Sequence, residues 1–410
     1  MKVLWFTNNL MPDECKKLNY PIPSNGGWMS SLLDELRFDK NVEIAVSTGH
    51  PNIEDSSFII NRIKYYIMKE SNSISWKHFD KIMLIKCKEV INDFKPDIIH
   101  IHGTEKYYGL IFANKMTNVP GIINLQGITS QLKKYVFCNM SIVKLWQSTR
   151  FDELIRLRGP IGIYLDLKKR AKREIIICSA LNNVIGRTNW DFAHIKMINK
   201  GINYYHVEEM LRQEFYQSIW NLKDAIRHQI VFTNAHSILK NIEILFSTLL
   251  ILKKDYPDIC LLLAGSIRDD QSGYGIYLKK KIIKMGLSSY VKLIGKQDCL
   301  GIIKALLSSH VFINPSLIDN SPNTLCEAMI VGMPSISSYT GGITSLIEDG
   351  NTGLFFPPQD APLLASAVQR IFNDDKFAQY LGNRARQIAL KRHDPKNIVS
   401  SMISIYEELM

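Results

Sequence analysis

The sequence predicts an α/β protein that has parallel sheets in two domains, and three observations support this. Short apolar runs alternate with amphipathic helical patterns along most of the chain, as expected for βαβ units with right-handed crossovers. The length of 410 residues suits two domains at ~100–200 residues each. A composition of 46% hydrophobic and 22% charged residues is that of a globular protein and excludes a disordered or collagen-like chain.

The apolar runs that we expect to form strands follow one another through both halves of the chain. In the first half they are residues 3–6, 97–102, 121–125 and 184–186, with helical patterns at 28–36 and 107–115. Runs as apolar as these are typical of strands that are buried on both faces of a parallel sheet. The second half repeats the pattern at residues 230–233, 260–265, 291–294, 311–314, 334–337 and 353–356.

One segment interrupts this alternation and sets the expected domain boundary. Residues 131–173 have a mainly helical pattern that is rich in Lys and Arg. We therefore expect two Rossmann-like domains, at 1–205 and 206–390. The remaining stretch, 391–410, predicts an amphipathic helix. Its apolar stripe consists of Ile398, Met402, Ile405 and Leu409.

Several familiar sites are missing from the sequence. The seven cysteines include no Cys-x-x-Cys pair, which argues against a zinc or thioredoxin-type site. Asn8-Asn9-Leu10 follows the first strand in place of a G-x-G-x-x-G dinucleotide fingerprint, and neither a P-loop nor a G-x-S-x-G motif occurs. No Asp-x-Asp pair that would hold a catalytic divalent metal occurs either. We expect no bound metal and no cofactor.

Hydropathy and cysteine usage predict where the protein works. The apolar run at residues 3–6 ends too early for a signal peptide, whose core needs ~7–15 apolar residues. The longest apolar run, near residues 244–252, is shorter than the ~18 residues that span a bilayer. An odd number of irregularly spaced cysteines is typical of reduced thiols. The expected location is cytoplasmic, extending to peripheral contact with the inner face of the plasma membrane.

Two motifs lie after early strands. Ser24-Asn25-Gly26-Gly27-Trp28 opens a helix, and adjacent glycines let the backbone approach an anion at a helix N-terminus. A flexible loop explains the same residues. His100 and His102 alternate along one face of a strand near its carboxyl end. A hydrogen-bonded structural role is favoured for His100. For His102, which Gly103 follows, a structural role and contact with a substrate are equally favoured.

The strongest motif spans residues 314–353. A turn after an expected strand presents Asp319, and a helix then begins near residue 322 with Glu327 one turn in. Carboxylates at the mouth of a helix N-terminus suit sugar hydroxyls, and the free amides there suit phosphates. The pair Gly341-Gly342 later in the motif indicates a tight turn.

This motif closely resembles the signature of retaining glycosyltransferase family 4, as found in bacterial surface-polysaccharide enzymes. The usual form is Glu, seven residues, Glu-Ala-Met/Leu-Ala-x-Gly-x-Pro, and later Gly-Gly. This chain has Asp319 and, after seven residues, Glu327-Ala328-Met329-Ile330-Val331-Gly332-Met333-Pro334. The resemblance extends over essentially the whole chain, because the Gly26-Gly27 loop, His102 and the closing helix also fit.

The resemblance implies the GT-B fold, in which two Rossmann-like domains face a cleft. Residues 1–205 would bind the acceptor and residues 206–390 the nucleotide-sugar. The helix within 391–410 would cross back to the N-terminal domain.

The resemblance also implies roles for individual residues. Glu327 matches a glutamate that binds the donor's ribose hydroxyls. Asp319 replaces a glutamate that touches the transferred sugar, and His102 matches a histidine that contacts the same sugar. The implied catalytic set is His102, Asp319 and Lys240. The implied donor-binding set is Gly26, Gly27, Arg187, Lys240, Asp319, Asn320, Asn323, Thr324 and Glu327.

The phosphate-binding cations depart from the family pattern. The family usually has an Arg five residues before a Lys, after the first strand of the second domain. Lys240 fits the Lys, but Ala235 stands at the Arg position. Arg187, between a strand end and a helix, is a candidate replacement. The alternative is a solvated Arg187 beside a helix-capping Thr188. A glutamate that often follows the Gly pair is Ser345 here.

Residues 133–173 carry most of the net positive charge. Eleven Lys and Arg residues stand against three acidic ones, which gives +8 of the chain's +11. Aromatic and apolar side chains are interleaved with the cations, so the segment suits an anionic membrane that presents a lipid-linked acceptor. A solvated helical face explains the same composition, and no motif supports a nucleic acid partner.

The sequence therefore predicts a metal-independent, retaining glycosyltransferase of the hexosyltransferase type. Its donor would be a UDP- or GDP-sugar, and its acceptor a glycan or a polyprenyl-diphosphate-linked intermediate in surface polysaccharide biosynthesis. Two alternatives stay open. One is a nucleotide-sugar epimerase of the same fold, and the other is a non-catalytic basic protein that binds membranes or nucleic acid.

Overall fold

The computed structural model describes residues 1–23, 26–73 and 75–410. These residues form two compact units. The first unit consists of Met1–Ser130, Lys168–Met210 and Asp394–Met410, and the second consists of Gln131–Leu167 and Leu211–His393.

The two units differ in extent from the ranges expected from the sequence. Residues 131–167 pack with the second unit, although they precede the expected boundary in the chain. Residues 394–410 pack with the first unit, as the resemblance implies for the closing helix. The ranges 1–205, 206–390 and 391–410 stay a prediction for the folding domains.

Strands and helices alternate through both units. The strands are β1 (Lys2–Thr7), β2 (Glu43–His50), β3 (Ser56–Ile60), β4 (Ile63–Lys69), β5 (Ile98–His102), β6 (Gly121–Asn124), β7 (Asn183–Gly186), β8 (Asn203–His206), β9 (Ile226–Phe232), β10 (Cys260–Ala264), β11 (Val291–Gly295), β12 (Ser309–Asn314), β13 (Ser335–Ser338) and β14 (Leu354–Phe356). The helices are α1 (Pro12–Lys17), α2 (Gly27–Leu36), α3 (Trp76–Phe94), α4 (Leu110–Ala113), α5 (Thr129–Tyr135), α6 (Ile142–Gln147), α7 (Phe151–Ile155), α8 (Gly159–Ala180), α9 (Asn189–Ile198), α10 (Gln213–Gln217), α11 (Glu243–Leu252), α12 (Gly273–Lys284), α13 (Cys299–Leu307), α14 (Asn323–Ile330), α15 (Ala361–Asn373), α16 (Asp375–Arg392) and α17 (Pro395–Leu409).

The described residues of the first unit form an eight-stranded sheet in the order β3-β4-β2-β1-β5-β6-β7-β8. β3 runs antiparallel to β4, and the other neighbouring strands are parallel. The strand order reverses at β1, because β2 lies on one side of it and β5 on the other. Open α/β sheets bind ligands at the carboxyl ends of the strands beside such a reversal. The loops after β1 and β5 therefore border the candidate ligand edge of this unit.

The second unit is built on a parallel sheet in the order β11-β10-β9-β12-β13-β14. Here the strand order reverses at β9, which lies between β10 and β12. By the same rule, the loops that follow β9 and β12 border the candidate ligand edge of this unit.

Buried side chains explain why the apolar runs form central strands. Trp5 and its apolar neighbours in β1 are 0% exposed, because helices cover both faces of the parallel sheet. α17 packs Ile398, Met402 and Ile405 into the core on one of these faces, as the predicted stripe requires. Tyr406 rather than Leu409 completes the buried stripe. Its hydroxyl accepts a hydrogen bond from Trp5 Nε1 at 3.0 Å.

The prediction of two α/β domains with largely parallel sheets is confirmed, and the predicted strands are present with ends shifted by a few residues. The sequence patterns do not predict β2, β3, β4 or β8. The β3–β4 hairpin is hard to detect because Asn61 and Arg62 make its turn with φ of 50° and 69°, and glycine, the usual residue for such a turn, is missing. No helix in the described ranges is both long and apolar enough to cross a bilayer.

Candidate active site

Charged side chains of the second unit meet after β9 and β12, the strands that flank the reversal. Lys240 ends a short 3-10 turn, Ile238–Lys240, and Asp319 lies in the loop between β12 and α14. The Lys240 Nζ atom is 2.5 Å from Asp319 Oδ2. Ser316 Oγ donates a hydrogen bond to the same Oδ2 at 3.1 Å. Sequence reasoning assigned Lys240 and Asp319 to different parts of a donor, and the structure brings them together.

The glycine pair positions the Asp319 loop. The Gly342 N–H donates to the Asp319 carbonyl oxygen at 3.0 Å. Gly341 has a φ of 52°, and a Cβ at this residue would lie 2.0 Å from the same carbonyl oxygen. The residues therefore do more than make the predicted tight turn, because only glycine lets the two loops approach this closely.

The N-terminus of α14 presents polar groups beside this loop. The helix begins at Asn323 after Pro322, which has no side-chain acceptor for the amides of the first turn. Asn323 Oδ1 and Thr324 Oγ1 are buried atoms without a hydrogen-bond partner in the described part of the chain. Asn320, another predicted donor-binding residue, is 2% exposed in the preceding loop. Unpaired buried polar atoms are costly, so these positions suit a polar ligand.

Glu327 lies farther along α14 and is 7% exposed. Arg212 Nη2 donates to Glu327 Oε1 at 2.7 Å. Burial raises the pKa of Glu327, and the Arg212 charge opposes that shift. The sequence reasoning missed Arg212, which comes just after the expected domain boundary. A lone Arg in a connector carries no spacing signal that would reveal a partner more than 100 residues away in the chain.

Ala235, at the position of the family arginine, is 1% exposed, and its methyl side chain carries no charge. Other cations lie near this position. Desolvation lowers the pKa of His236, and the charges of Lys240 and Lys296 lower it further. Lys296 directly follows β11 and is exposed. The positive charges of Lys240 and Lys296 therefore both act on His236. The sequence reasoning missed Lys296.

In the first unit, His102 ends β5 and is 0% exposed. Its ring stacks on His100 with 4.0 Å between centroids and lies 4.4 Å from the Trp5 ring. His100 is hydrogen-bonded to Tyr406 Oη at 2.6 Å, consistent with the structural role favoured for it. Neither ring nitrogen of His102 has a partner among the described residues. Burial lowers the pKa of His102, so the ring is neutral near pH 7 and has one donor and one acceptor to offer.

Arg187 is 2% exposed, so it is not the solvated side chain of the alternative interpretation. Its guanidinium pairs with Glu209 Oε1 at 2.6 Å. It also donates to Asn124 Oδ1 at 3.0 Å and to the Leu125 carbonyl oxygen. Thr188 caps α9 as that alternative requires, accepting from the third amide of the helix at 3.1 Å. A role for Arg187 in binding phosphate stays a prediction, and such binding would compete with Glu209.

The glycine motif near the N-terminus is only partly within the described residues. Ser24 and Asn25 lie outside them. Gly26 has a φ of 86° and precedes α2, which begins at Gly27 as predicted. A Cβ at Gly26 would lie 3.4 Å from the side-chain Nδ2 atom of Asn9, so the start of α2 lies beside the loop after β1. Anion binding by Gly26 and Gly27 stays a prediction.

Glu105 is a polar residue of the first unit that the sequence reasoning missed. Asn8 Nδ2, in the loop after β1, donates to Glu105 Oε2 at 3.0 Å. Gly103 has a φ of 98°, and a Cβ on this residue would lie 2.1 Å from the same Glu105 Oε2. Burial raises the pKa of Glu105. The glycine after His102 is therefore needed for Glu105 to reach the ligand edge of the first sheet.

The two ligand edges offer different chemistry. The second unit provides Lys240, Lys296 and a helix N-terminus, which suit phosphate oxygens, together with the carboxylates of Asp319 and Glu327, which suit hydroxyl groups. The first unit provides a neutral histidine and a carboxylate. Among residues 1–23, 26–73 and 75–410, no three His, Cys, Asp or Glu side chains are grouped in a way that would hold a metal ion.

Comparison with known proteins gives matches for part and for all of the chain. Residues 220–388 match the family model described as Glycosyl transferases group 1. An uncharacterized glycosyltransferase of Methanocaldococcus jannaschii is 24% identical over 251 residues. That alignment covers 60% of this chain and 60% of the relative, so the chain is matched to less than two thirds of that protein's length.

Solved structures match over the full length. A sucrose-phosphate synthase from Thermosynechococcus elongatus has a TM-score of 0.75 at 17% identity, and the match covers 100% of this chain and 98% of that one. HepE of Anabaena, solved in complex with UDP-glucose, has a TM-score of 0.71 at 15% identity, with 100% of both chains covered. These TM-scores over the full length of the chain establish the fold and confirm the GT-B prediction. The chain thus has the GT-B fold, and the match to the glycosyl transferases group 1 model lies within residues 220–388.

Proposed function

We propose that the protein is a retaining glycosyltransferase that uses a UDP- or GDP-sugar. The acceptor is a glycan or a polyprenyl-diphosphate-linked intermediate of surface polysaccharide biosynthesis. One observation carries the proposal: the Lys240–Asp319 ion pair lies at the strand-order reversal of the second sheet. The N-terminus of α14 follows the same loop, and buried polar atoms of Asn323 and Thr324 there have no hydrogen-bond partner among the described residues.

Lys240 is able to bind Asp319 and phosphate at the same time. An ammonium group has three N–H donors, and one of them points to Asp319 Oδ2. The remaining donors are available to the diphosphate of a nucleotide-sugar. Asp319 therefore orients Lys240, while its other carboxylate oxygen accepts a hydrogen bond from a hydroxyl of the transferred sugar.

The reaction requires stabilisation of the leaving nucleoside diphosphate. The acceptor hydroxyl attacks the anomeric carbon on the face from which the diphosphate departs. A new bond forms between the acceptor oxygen and that carbon as the bond between the carbon and the phosphate oxygen breaks. The hydroxyl proton passes to the departing phosphate oxygen. Lys240, with Lys296 as a second cation, and the amides of α14 stabilise the developing negative charge.

Two further residues hold the donor. Glu327 accepts hydrogen bonds from the ribose hydroxyls, and the 2.7 Å contact with Arg212 opposes the rise in the Glu327 pKa that burial causes. His102 binds the sugar through its ring nitrogens, which have no partner within residues 1–23, 26–73 and 75–410. Both roles follow from the family resemblance and agree with the chemistry of these side chains. No divalent metal is required, since protein cations and amides stabilise the leaving group.

The proposed donor class has support from solved structures of the same fold, because HepE was solved with UDP-glucose bound. The proposed lipid-linked acceptor is supported by the positive charge of residues 133–173, since such a segment is attracted to anionic lipid.

A thermal-shift screen against UDP-, GDP- and ADP-sugars tests the proposal. A bound donor raises the melting temperature by mass action. We expect a rise with one UDP- or GDP-sugar, accompanied by slow release of the nucleoside diphosphate in the absence of acceptor. Conversion of the donor into its epimer would instead establish the epimerase alternative. A protein that neither shifts with any nucleotide-sugar nor hydrolyses one would be a binding protein without catalysis.

A further inference from the structure

Two short helices of the second unit expose their apolar side chains. In α6, Ile142, Val143 and Trp146 are 77%, 64% and 69% exposed. In and just after α7, Phe151, Ile155 and Leu157 are 79%, 67% and 58% exposed. We call these six residues the outer apolar surface. A helix on a globular protein ordinarily turns its apolar side chains toward the core, so these two helices have the opposite orientation.

Buried polar contacts fix that orientation. The Lys144 ammonium of α6 pairs with Glu243 of α11, and both side chains are largely buried. Glu153 of α7 is 7% exposed. Its carboxylate accepts from the Gly273 N–H at 3.1 Å, where α12 begins, and from the Arg150 N–H at 2.9 Å. The charged residues therefore hold the helices against the unit, and the apolar residues are left facing solvent.

The charge around this surface favours an anionic partner. Residues 131–167 contain six Lys and Arg residues and three acidic residues. One of the acidic residues, Glu153, is buried, whereas Lys134, Arg156 and Arg158 are exposed. Exposed aromatic and aliphatic side chains that are flanked by cations are typical of segments that lie in the interface of an anionic bilayer.

The cation-rich part of α8 is less suited to be the main contact. Arg173 is held by Asp80, with Nη2 2.5 Å from Oδ1 and Nε 2.9 Å from Oδ2. Both side chains are largely buried, and Arg170 has interactions of its own. Part of the positive charge counted in the sequence is therefore structural.

We infer that the outer apolar surface inserts into the interfacial region of an anionic lipid bilayer. Trp146 and Phe151 supply the largest apolar side chains for this insertion, and Lys134, Arg156 and Arg158 contact the headgroups. The inference identifies the surface through which the protein would reach a lipid-linked acceptor, and this purpose of the binding rests on the proposed function. The binding itself does not require donor or acceptor. A second copy of this chain covering the same surface is the competing explanation.

Vesicle binding of the full chain tests the inference. The probes are vesicles of phosphatidylcholine alone and vesicles that also contain phosphatidylglycerol, sedimented with the protein and without nucleotide-sugar. We expect binding to the anionic vesicles and much weaker binding to the neutral ones. A triple variant with Trp146→Gln, Phe151→Gln and Ile155→Gln should lower anionic binding by about tenfold or more, because three apolar side chains leave the interface.

A matched control tests whether the position of the apolar side chains matters. Ile219, Ile283 and Leu300 of the same unit are 66%, 69% and 66% exposed. Their triple replacement by Gln should leave vesicle binding within about twofold of the parent. Both triple variants should keep the parent's melting temperature and its rate of nucleotide-sugar hydrolysis without lipid. Failure of the proposed catalysis would appear as absent hydrolysis in all three proteins and would leave the vesicle result unaffected.

Three results would overturn the inference. The first is a parent protein that does not bind the anionic vesicles. The second is equal binding of these vesicles by the two triple variants. The third is a parent protein that sediments as a dimer, does not bind vesicles, and becomes monomeric when residues 146, 151 and 155 are replaced. That outcome would assign the surface to self-association.

Discussion

Lys240 and Arg187 are both cations that follow a strand, but they differ in burial and in the number of groups that they bind. Arg187 is 2% exposed, and its guanidinium binds Glu209, Asn124 and the Leu125 carbonyl oxygen. Lys240 is paired with one carboxylate oxygen, that of Asp319. The first cation is part of the internal structure of its unit, whereas the second retains donors for a ligand.

Sheet topology explains the difference. Lys240 follows β9, the strand at which the order of the second sheet reverses. Arg187 follows β7, which lies between β6 and β8 and away from the reversal at β1. The loops beside a reversal separate and leave a crevice, whereas loops after other neighbouring strands pack against each other. A cation that follows a strand at the reversal, as Lys240 does, is therefore better placed to contact phosphate than one that follows β7.

The largest expected effect tests the structural role of Arg187. Arg187→Ala removes a buried cation that pairs with the buried Glu209 carboxylate and should destabilise the protein by about 3–5 kcal/mol. Urea unfolding measures the loss, and Arg156→Ala, at an exposed position, should change stability by less than about 0.5 kcal/mol. An unchanged midpoint for Arg187→Ala, together with weaker binding of nucleoside diphosphate, would reverse the comparison and make Arg187 the phosphate ligand.

The second effect concerns turnover at Lys240. In the proposed mechanism Lys240 stabilises the leaving diphosphate, so Lys240→Ala should lower turnover by roughly 10²–10³-fold. Steady-state transfer or donor hydrolysis measures this, and the exposed Lys254→Ala is the control. If Lys240→Ala retains more than about a third of the parent's turnover, the phosphate site lies elsewhere.

A smaller effect is expected at Lys296, which is more exposed. Lys296→Ala should weaken nucleoside diphosphate binding by about threefold to tenfold, because a solvent-screened cation contributes less than a buried one. Lys292→Ala, at an exposed position within β11, is the matched control and should leave affinity unchanged. Equal effects of the two substitutions would indicate only a general electrostatic field.

The smallest expected effect is that of metal removal. Excess EDTA should leave turnover unchanged, because the leaving group is stabilised by protein cations and amides. Turnover that is lost in EDTA and restored by Mn²⁺ would contradict the proposed metal-independent mechanism.

The sequence predicted the elements that depend on local pattern and missed those that depend on distant partners. The apolar runs identified the central strands, and the motif around Asp319 identified the ligand edge of the second sheet. The β3–β4 hairpin escaped prediction because Asn61 and Arg62 lack the usual glycine signal. Arg212 and Glu105 escaped because their contacts with Glu327 and Asn8 arise only on folding.

The most direct test of the account separates Glu327 from Asp319 by titration calorimetry. Glu327 should bind ribose, where hydrogen bonds to a charged group are worth roughly 1.5–3 kcal/mol. Glu327→Ala should therefore weaken binding of the free nucleoside diphosphate and of the full donor by about tenfold to a hundredfold. Asp319→Ala should weaken binding of the full donor and lower turnover, and should leave the free nucleoside diphosphate almost unaffected. A folded Glu327→Ala protein that binds free nucleoside diphosphate like the parent would contradict the placement of the ribose and the donor site built on it.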